Sequence, residues 1–264
     1  MAIQEVGSGD TRQKPIKLGG ALVTLVEPHR GHEVTYNRWY ERDHFYAGCM
    51  IGAWTISGAR YVATRDHKAV RFPSDSPVVP DPTSGSYVAL YWVLAGKFGE
   101  WMRWGTDQVN WLHANHRMFE HRDHVHTTMY RFRGEGHADP DGVPVELALD
   151  RGYPGLVMMI AEPAEGADAA SVIAWATERT PMPADQVAAF IPVPLLADAP
   201  KDVPLTPESE RVCLLWFCVA DPLETWDDFI ALGDTLASEG AGRVLFASPF
   251  VKTIPGTDTY TDKL

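Results

Sequence analysis

Histidine is missing from the second half of this 264-residue chain: all ten lie between His29 and His137. Cysteine is scarce throughout, with three residues and no CxxC spacing, which excludes a disulfide framework and a thiolate zinc site. Cys213 and Cys218 fall within one extended run, too far apart to bridge. Basic residues are outnumbered, 23 Lys and Arg against 35 Asp and Glu, and the formal charge of −12 repels nucleic-acid phosphates and anionic lipid surfaces. Apolar runs stop well short of the roughly 20 residues that span a bilayer. The polar opening MAIQEVGSGDTRQKPIK lacks the apolar centre of a secretory signal and reads as a disordered tail over residues 1–15. GxSxG, GxxxxGK[ST] and post-strand GxGxxG are all absent, so serine acyl transfer, nucleotide hydrolysis and Rossmann-type cofactor use lack their usual signs. The absences together predict a soluble cytoplasmic protein in a reducing compartment. Its expected partner is a small-molecule substrate, with no nucleic acid and no membrane.

What the chain does contain is an internal echo. Leu22 to Pro28 reads LVTLVEP and Leu156 to Pro163 reads LVMMIAEP; Val88-Ala-Leu-Tyr-Trp92 is answered by Val212-Cys-Leu-Leu-Trp216. After the second pair come Glu100-Trp101 and Glu224-Thr-Trp226, each at a predicted helix start. With 45% apolar residues the chain can bury two cores of ordinary size.

β-branched and aromatic runs predict strands at 21–26, 54–64, 87–94, 124–132, 156–161, 212–220 and 244–251. An eighth around 188–196, interrupted by Pro192 and Pro194, is expected at a sheet edge. Helices are expected at 33–50, 98–117, 169–179 and 224–239. The fold class is therefore α+β: two tandem ferredoxin-like domains, each βαββαβ, spanning 16–137 and 155–264 with a linker at 138–154. Each sheet has helices on one face and needs a cover for the other. Packing sheet to sheet supplies it, giving an intramolecular dimeric α+β barrel. The fused barrel can in turn pair as a homodimer, and the Pro- and Gly-rich 66–85 connection is a candidate lid.

The segment Tyr36-Asn-Arg-Trp-Tyr-Glu-Arg-Asp-His44, followed by Ala59-Arg-Tyr-Val-Ala63, resembles the N-x-W-Y-x-x-x-H helix and R-Y strand of EthD-like proteins of the dimeric α+β barrel superfamily. The resemblance implies this architecture for a tandem fusion. It does not single out a reaction, because relatives by fold include polyketide cyclases, muconolactone-type isomerases, cofactor-free monooxygenases, haem-degrading enzymes and haem-dependent dehydratases.

The 33–50 helix points to a site on its own terms. At four-residue spacing Tyr36, Tyr40, His44 and Ala47 form an aromatic, hydrogen-bonding stripe where a buried helix usually carries Leu, Ile or Val. His44 suits general acid or base work, with Tyr40 and Asp43 as its catalytic partners. Asp43 points about 100° away around the helix, so it does not orient His44 directly. Substrate-binding candidates are Tyr36, Asn37, Arg60, Tyr61, Trp101 and Trp104. The competing reading makes Tyr40 and the tryptophans packing residues and Arg60 half of a surface ion pair.

His113 and His116 share a helix face and His124 and His126 alternate along a strand, a group that can hold a transition metal. Three functional classes stay open. The first is a cofactor-independent isomerase, cyclase or lyase acting on a small aromatic or polyketide-like carbonyl compound. The second is a haem- or metal-dependent oxidoreductase or dehydratase. The third is a non-catalytic ligand-binding barrel. The second half, lacking histidine, is read mainly as scaffold.

Overall fold

Eight strands carry the β-branched and aromatic runs, and in the computed structural model they close into a single antiparallel barrel. The structure describes residues 15–179, 181–204 and 209–264. Residues 1–14 of the expected tail lie outside them. The strands are β1 (Leu18–Pro28), β2 (Thr55–Val62), β3 (Tyr87–Leu94), β4 (Arg122–His137), β5 (Gly155–Pro163), β6 (Gln186–Val193), β7 (Val212–Cys218) and β8 (Gly242–Lys252). The helices are α1 (Glu33–Trp39), α2 (Arg65–Ala69), α3 (Phe98–Ala114), α4 (Ala148–Arg151), α5 (Ala169–Thr177) and α6 (Trp226–Ser238).

Around the barrel the order is β1-β3-β2-β8-β5-β7-β6-β4. Read from the first half it runs β4-β1-β3-β2, and from the second β8-β5-β7-β6, so each half carries the same antiparallel order. The echoed motifs occupy matching strands, β1 with β5 and β3 with β7. The inner faces meet, as the one-sided helix layers require, but the seams are also hydrogen-bonded. β4 pairs with β6 from Met129↔Val193 to His137↔Gln186, and β2 joins β8 through Tyr61 and Val62. Closure leaves each strand with a neighbour on both sides, although the β2–β8 seam is only two residue pairs long.

That closure corrects the reading of β6 as an edge strand. It is paired on both sides from Gln186 to Phe190, and beyond Phe190 only β4 continues beside it. Pro192 sits in that last stretch, where a missing N–H toward β7 leaves nothing unpaired.

Alternation along the strands sorts side chains between two environments. Ala21, Val23 and Leu25 of β1 point into the lumen with Leu90, Trp92, Phe190, Phe217 and Phe246. Val26, Tyr91, Val93 and Met129 face outward under α1 and α3. In the second half Val157, Met159, Leu214, Trp216, Phe229 and Leu236 fill the corresponding layer under α5 and α6. Both irregular connections stop the lumen. Trp92 Nε1 donates to the Val145 carbonyl at 2.9 Å, and Val145, Ala148 and Leu149 are buried in the same core. From the 66–85 connection, Val78 and Val79 join that core and Ser76 Oγ donates to Leu245 O at 2.7 Å. Part of this candidate lid is therefore anchored in the lumen core, where it acts as a plug of the barrel.

No helix among the described residues is long and apolar enough to cross a membrane.

Candidate active site

Between the first half's sheet and its helices lies a cavity of about 100 Å³. Its floor is β1, β3 and β4, contributing Leu22, Thr24, Tyr91, Thr127 and Met129; α3 contributes Trp101, Met102 and Val109. The third wall is the stretch that follows α1, where the chain winds as a π-helix from Tyr40 to Met50. A π-helix bonds i to i+5, and such turns gather at functional sites. Here the wider turn keeps Tyr40, His44 and Gly48 on the cavity side. It rotates Ala47 away, toward an open surface depression, where its carbonyl accepts from Gln108 Nε2 at 2.6 Å. The expected Tyr36-Tyr40-His44-Ala47 stripe assumed 3.6 residues per turn, and the true winding splits it.

Gly48 makes the arrangement sterically workable. A Cβ there would sit 2.8 Å from His44 Cε1 and 3.0 Å from Nδ1, so only glycine lets the imidazole lie flat across this turn. The ring stacks on Trp39, centroids 4.6 Å apart at 15°, and meets Tyr40 edge-on at 5.2 Å. His44 Nδ1 is buried without a hydrogen-bond partner. Burial first, then the positive charge of Arg122 and the neighbouring His124 and His113, pushes His44 down to about 3. It is neutral at physiological pH.

Opposite His44 the sheet presents a hydrogen-bonded chain. Thr24 Oγ1 and Thr127 Oγ1 are 2.9 Å apart across β1 and β4, and Thr127 Oγ1 lies 2.8 Å from His124 Nδ1. His124 Nε2 is 3.3 Å from Arg122, whose guanidinium donates to Asp202 Oδ2 at 3.0 Å and to the Phe119 carbonyl. Burial, followed by Arg122, lowers His124 to about 4. The tyrosine side is equally closed: Tyr40 and Tyr91 hydroxyls are 2.8 Å apart, and burial holds both well above their ordinary range. Burial also pushes the Cys49 thiol up to about 12, so it is a neutral wall residue and not a nucleophile.

The other expected residues lie elsewhere. Tyr36 is buried beside Trp39, Tyr87 and Phe119, outside the cavity. Asn37 bridges the Thr257 carbonyl and Arg60. Arg60 is neither at the surface nor in the cavity; its guanidinium lies 4.2 Å from the Tyr40 ring and 4.7 Å from Tyr87, with Glu41 at 3.6 Å. Tyr61 points into the lumen core. Asp43 pairs with Arg117 at the surface depression, and Trp104 packs against Gly52. Of the nine expected site residues, Tyr40, His44 and Trp101 line the cavity.

The histidine group of the second unit is dispersed for two separate reasons. A bulge at Val125 puts His124 opposite Val26 and His126 opposite Leu25, so the two rings leave opposite faces of β4. His124 enters the cavity, while His126 Nε2 sits 2.8 Å from the Tyr130 hydroxyl on the lumen side. His116 ends α3 in the left-handed conformation, φ 55°, with Arg117 N bonded to Leu112 O and His116 N to His113 O. This is a Schellman cap with histidine where glycine is usual, so His116 serves the backbone. Among the described residues no three His, Cys, Asp or Glu side chains gather as a metal site.

His126 carries a stability signature. Burial lowers it from 6.5 to about 4. Below pH 6.5 the unfolded chain takes up a proton that the folded chain refuses, so stability is constant above that pH and falls as pH drops toward 4. The expected loss is up to about 3 kcal/mol. Urea melts at pH 7 and pH 4.5 should show it, with a smaller drop for His126→Gln. An equal drop in both proteins would assign the acid sensitivity to other groups.

Arg122, His124, Thr24, Thr127 and Asp202 were not assembled into this site from the sequence. Thr24 did leave a signal, as the one polar residue between Leu22 and Val26 in the outward stripe of β1; Thr127 left none, because β4 is polar along most of its length. Asp202 left none, because it comes from the β6–β7 connection of the other half.

No family model matches the chain, and no curated protein does. Solved structures do match. A candidate chlorite dismutase shares 10% identity over 94% of this chain and 100% of its own, with a TM-score of 0.53. An anthrone oxidase-like protein shares 8% over 92% of this chain and 98% of its own, at 0.47. A dye-decolorizing protein from V. cholerae shares 9% over 94% and 97%, at 0.41. The first of these agrees with the dimeric α+β barrel fold described above. At such identity the likeness is one of fold, and function has to be argued from the site.

Proposed function

We propose that the chain is a cofactor-independent enzyme of the isomerase, cyclase or lyase type, which moves a proton next to the carbonyl of a one-ring aromatic or polyketide-like compound in this cavity. The observation that carries the reading is His44: a neutral imidazole with a free, buried Nδ1 at the wall of an otherwise mostly apolar cavity. A neutral imidazole accepts a proton, and a hydrogen-bonding partner is what its orphan nitrogen lacks. Arg122 and His124 face the same space and can stabilise the enolate oxygen that forms. His44 is a weak base in the empty cavity because burial and Arg122 disfavour its cation. A developing enolate between His44 and Arg122 reverses that second effect, so basicity rises as the reaction proceeds. Tyr40 and Trp101 shape the ring slot; the roles expected for Asp43, Asn37, Arg60, Tyr61, Tyr36 and Trp104 are positional at most. The chain is further read as a tandem fusion of two EthD-like units, 16–137 and 155–264, with the second as scaffold.

Size argues against haem. An apolar cavity of about 150 Å³ holds a single benzene, and this one is smaller still, about 100 Å³. A porphyrin does not fit, and both ring nitrogens of His124 are already within reach of Thr127 and Arg122. The direct test is solvent deuterium exchange into the α-carbon of a panel of aryl ketones, followed by NMR. Exchange is expected with the native chain, reduced about a hundredfold or more in His44→Ala and retained in His126→Gln. Loss in His126→Gln with full activity in His44→Ala would move the chemistry into the lumen.

A further inference from the structure

The cavity lining includes one guanidinium and one carboxyl side chain, and they come from opposite halves of the chain. Arg122 opens β4 and its side chain is 5% exposed; Asp202 lies on the irregular stretch that follows β6 and is 38% exposed. A buried guanidinium requires an anion beside it, since unpaired it is strongly unfavourable. Yet its counterion is carried by residues in neither helix nor strand. That stretch is tied to α3 by Arg103 NH2 at 2.8 Å from Asp198 Oδ2 and by Asn110 Nδ2 to the Asp198 carbonyl at 2.9 Å, contacts that water and salt weaken. The rest of its contribution to the cavity is apolar: Leu195, Ala199, Pro200 and Val203. Asp202 itself also lies 3.3 Å from His113 Nε2. The cation thus stands on a barrel strand, and the anion on a connection held only by exposed or partly exposed polar contacts.

We propose that Arg122 is the anion subsite of the cavity, that Asp202 fills it when no ligand is present, and that the ligand is a one-ring aromatic monoanion whose carboxylate displaces Asp202. A carboxylate suits the planar fork of arginine better than a neutral amide does. The wall of Tyr40, Trp101, Met102 and Met129 suits a ring; at about 100 Å³ the cavity is smaller than a benzene site, and the remaining room comes from the withdrawal of Asp202 with the apolar residues beside it. His124 Nε2 accepts from Arg122 and helps to hold the guanidinium in place beside the carboxylate. The inference rests on the cavity being the functional site; it does not depend on which reaction occurs there.

The probe is benzoate, with benzamide as its neutral counterpart, titrated calorimetrically into the full chain at low salt. Benzoate is expected to bind the native protein more tightly than benzamide. It should bind Asp202→Asn about tenfold more tightly again, because the competing carboxylate is gone, with benzamide unchanged. Arg122→Lys keeps the charge and loses the fork, and should cost benzoate about tenfold and benzamide nothing. Equal affinity for the two ligands in the native protein, or weaker benzoate binding in Asp202→Asn, overturns the proposal. So does binding of neither ligand, which also removes the cavity reading beneath it. Benzoate binding in a protein that shows no α-proton exchange refutes the proposed reaction and leaves the anion subsite standing.

Discussion

A chain cut after His137 is expected to be insoluble or self-associating, and not a folded monomer. The cut exposes the lumen face of the first half, where Val23, Leu25, Leu90 and Trp92 are fully buried in the whole protein. Each contributes about 1.5–3 kcal/mol through burial. It also strips the partner from β4, which is hydrogen-bonded to β6 from Met129 to His137, and from the end of β2. A long unpaired strand beside an apolar face is a template for another copy. One of the two stoppers of the lumen goes too, since Val145 and the α4 residues Ala148 and Leu149 lie beyond the cut. Light scattering on the soluble fraction should find dimers or larger species, in which a second copy supplies the missing half-barrel. A well-folded monomer would show that the second half does not complete the core of the first.

The barrel was legible because its strands announce themselves twice, by composition and by repetition. LVTLVEP and LVMMIAEP fall on β1 and β5, and each half needed a cover for one sheet face that the other half supplies. The site was legible only where a residue's chemistry and its direction could be read from neighbours in sequence. His44 and Tyr40 met that condition, because four residues apart is one turn in either an α- or a π-helix to a fair approximation. Ala47 did not, since nothing in YERDHFYAGCM distinguishes i+5 from i+4 bonding. His124 and His126 were misjudged by one inserted residue: the bulge at Val125 reverses a parity that sequence counting takes for granted. Arg60 was expected to bind substrate or to pair at the surface, and it lies in neither place: arginine is seldom buried, and its cage of Tyr36, Tyr40 and Tyr87 is assembled from α1, the π-helix and β3. Asp202 reaches Arg122 across 80 residues of chain through a connection with no pattern of its own.

Replacing His44 by leucine is expected to make the protein more stable and catalytically inert. In the native chain His44 Nδ1 is buried with no hydrogen-bond partner. A buried unsatisfied polar atom costs about 1–3 kcal/mol, and an apolar side chain of similar volume removes that cost. The gain should appear as a rise of a few degrees in Tm. No stabilising contact of the imidazole nitrogens is lost in exchange; what His44 gives up is its stacking on Trp39, which an aliphatic chain partly replaces by packing. The same substitution removes the proton acceptor, and α-proton exchange should fall about a hundredfold or more. A residue kept for packing predicts the opposite pair of results, lower Tm and little change in exchange. His124→Asn is the matched control: His124 is held by Thr127 and Arg122, so its loss should lower stability as well as activity. Only a residue retained for chemistry sits in the fold at the expense of the fold, and the sign of the Tm change in His44→Leu decides whether His44 is one.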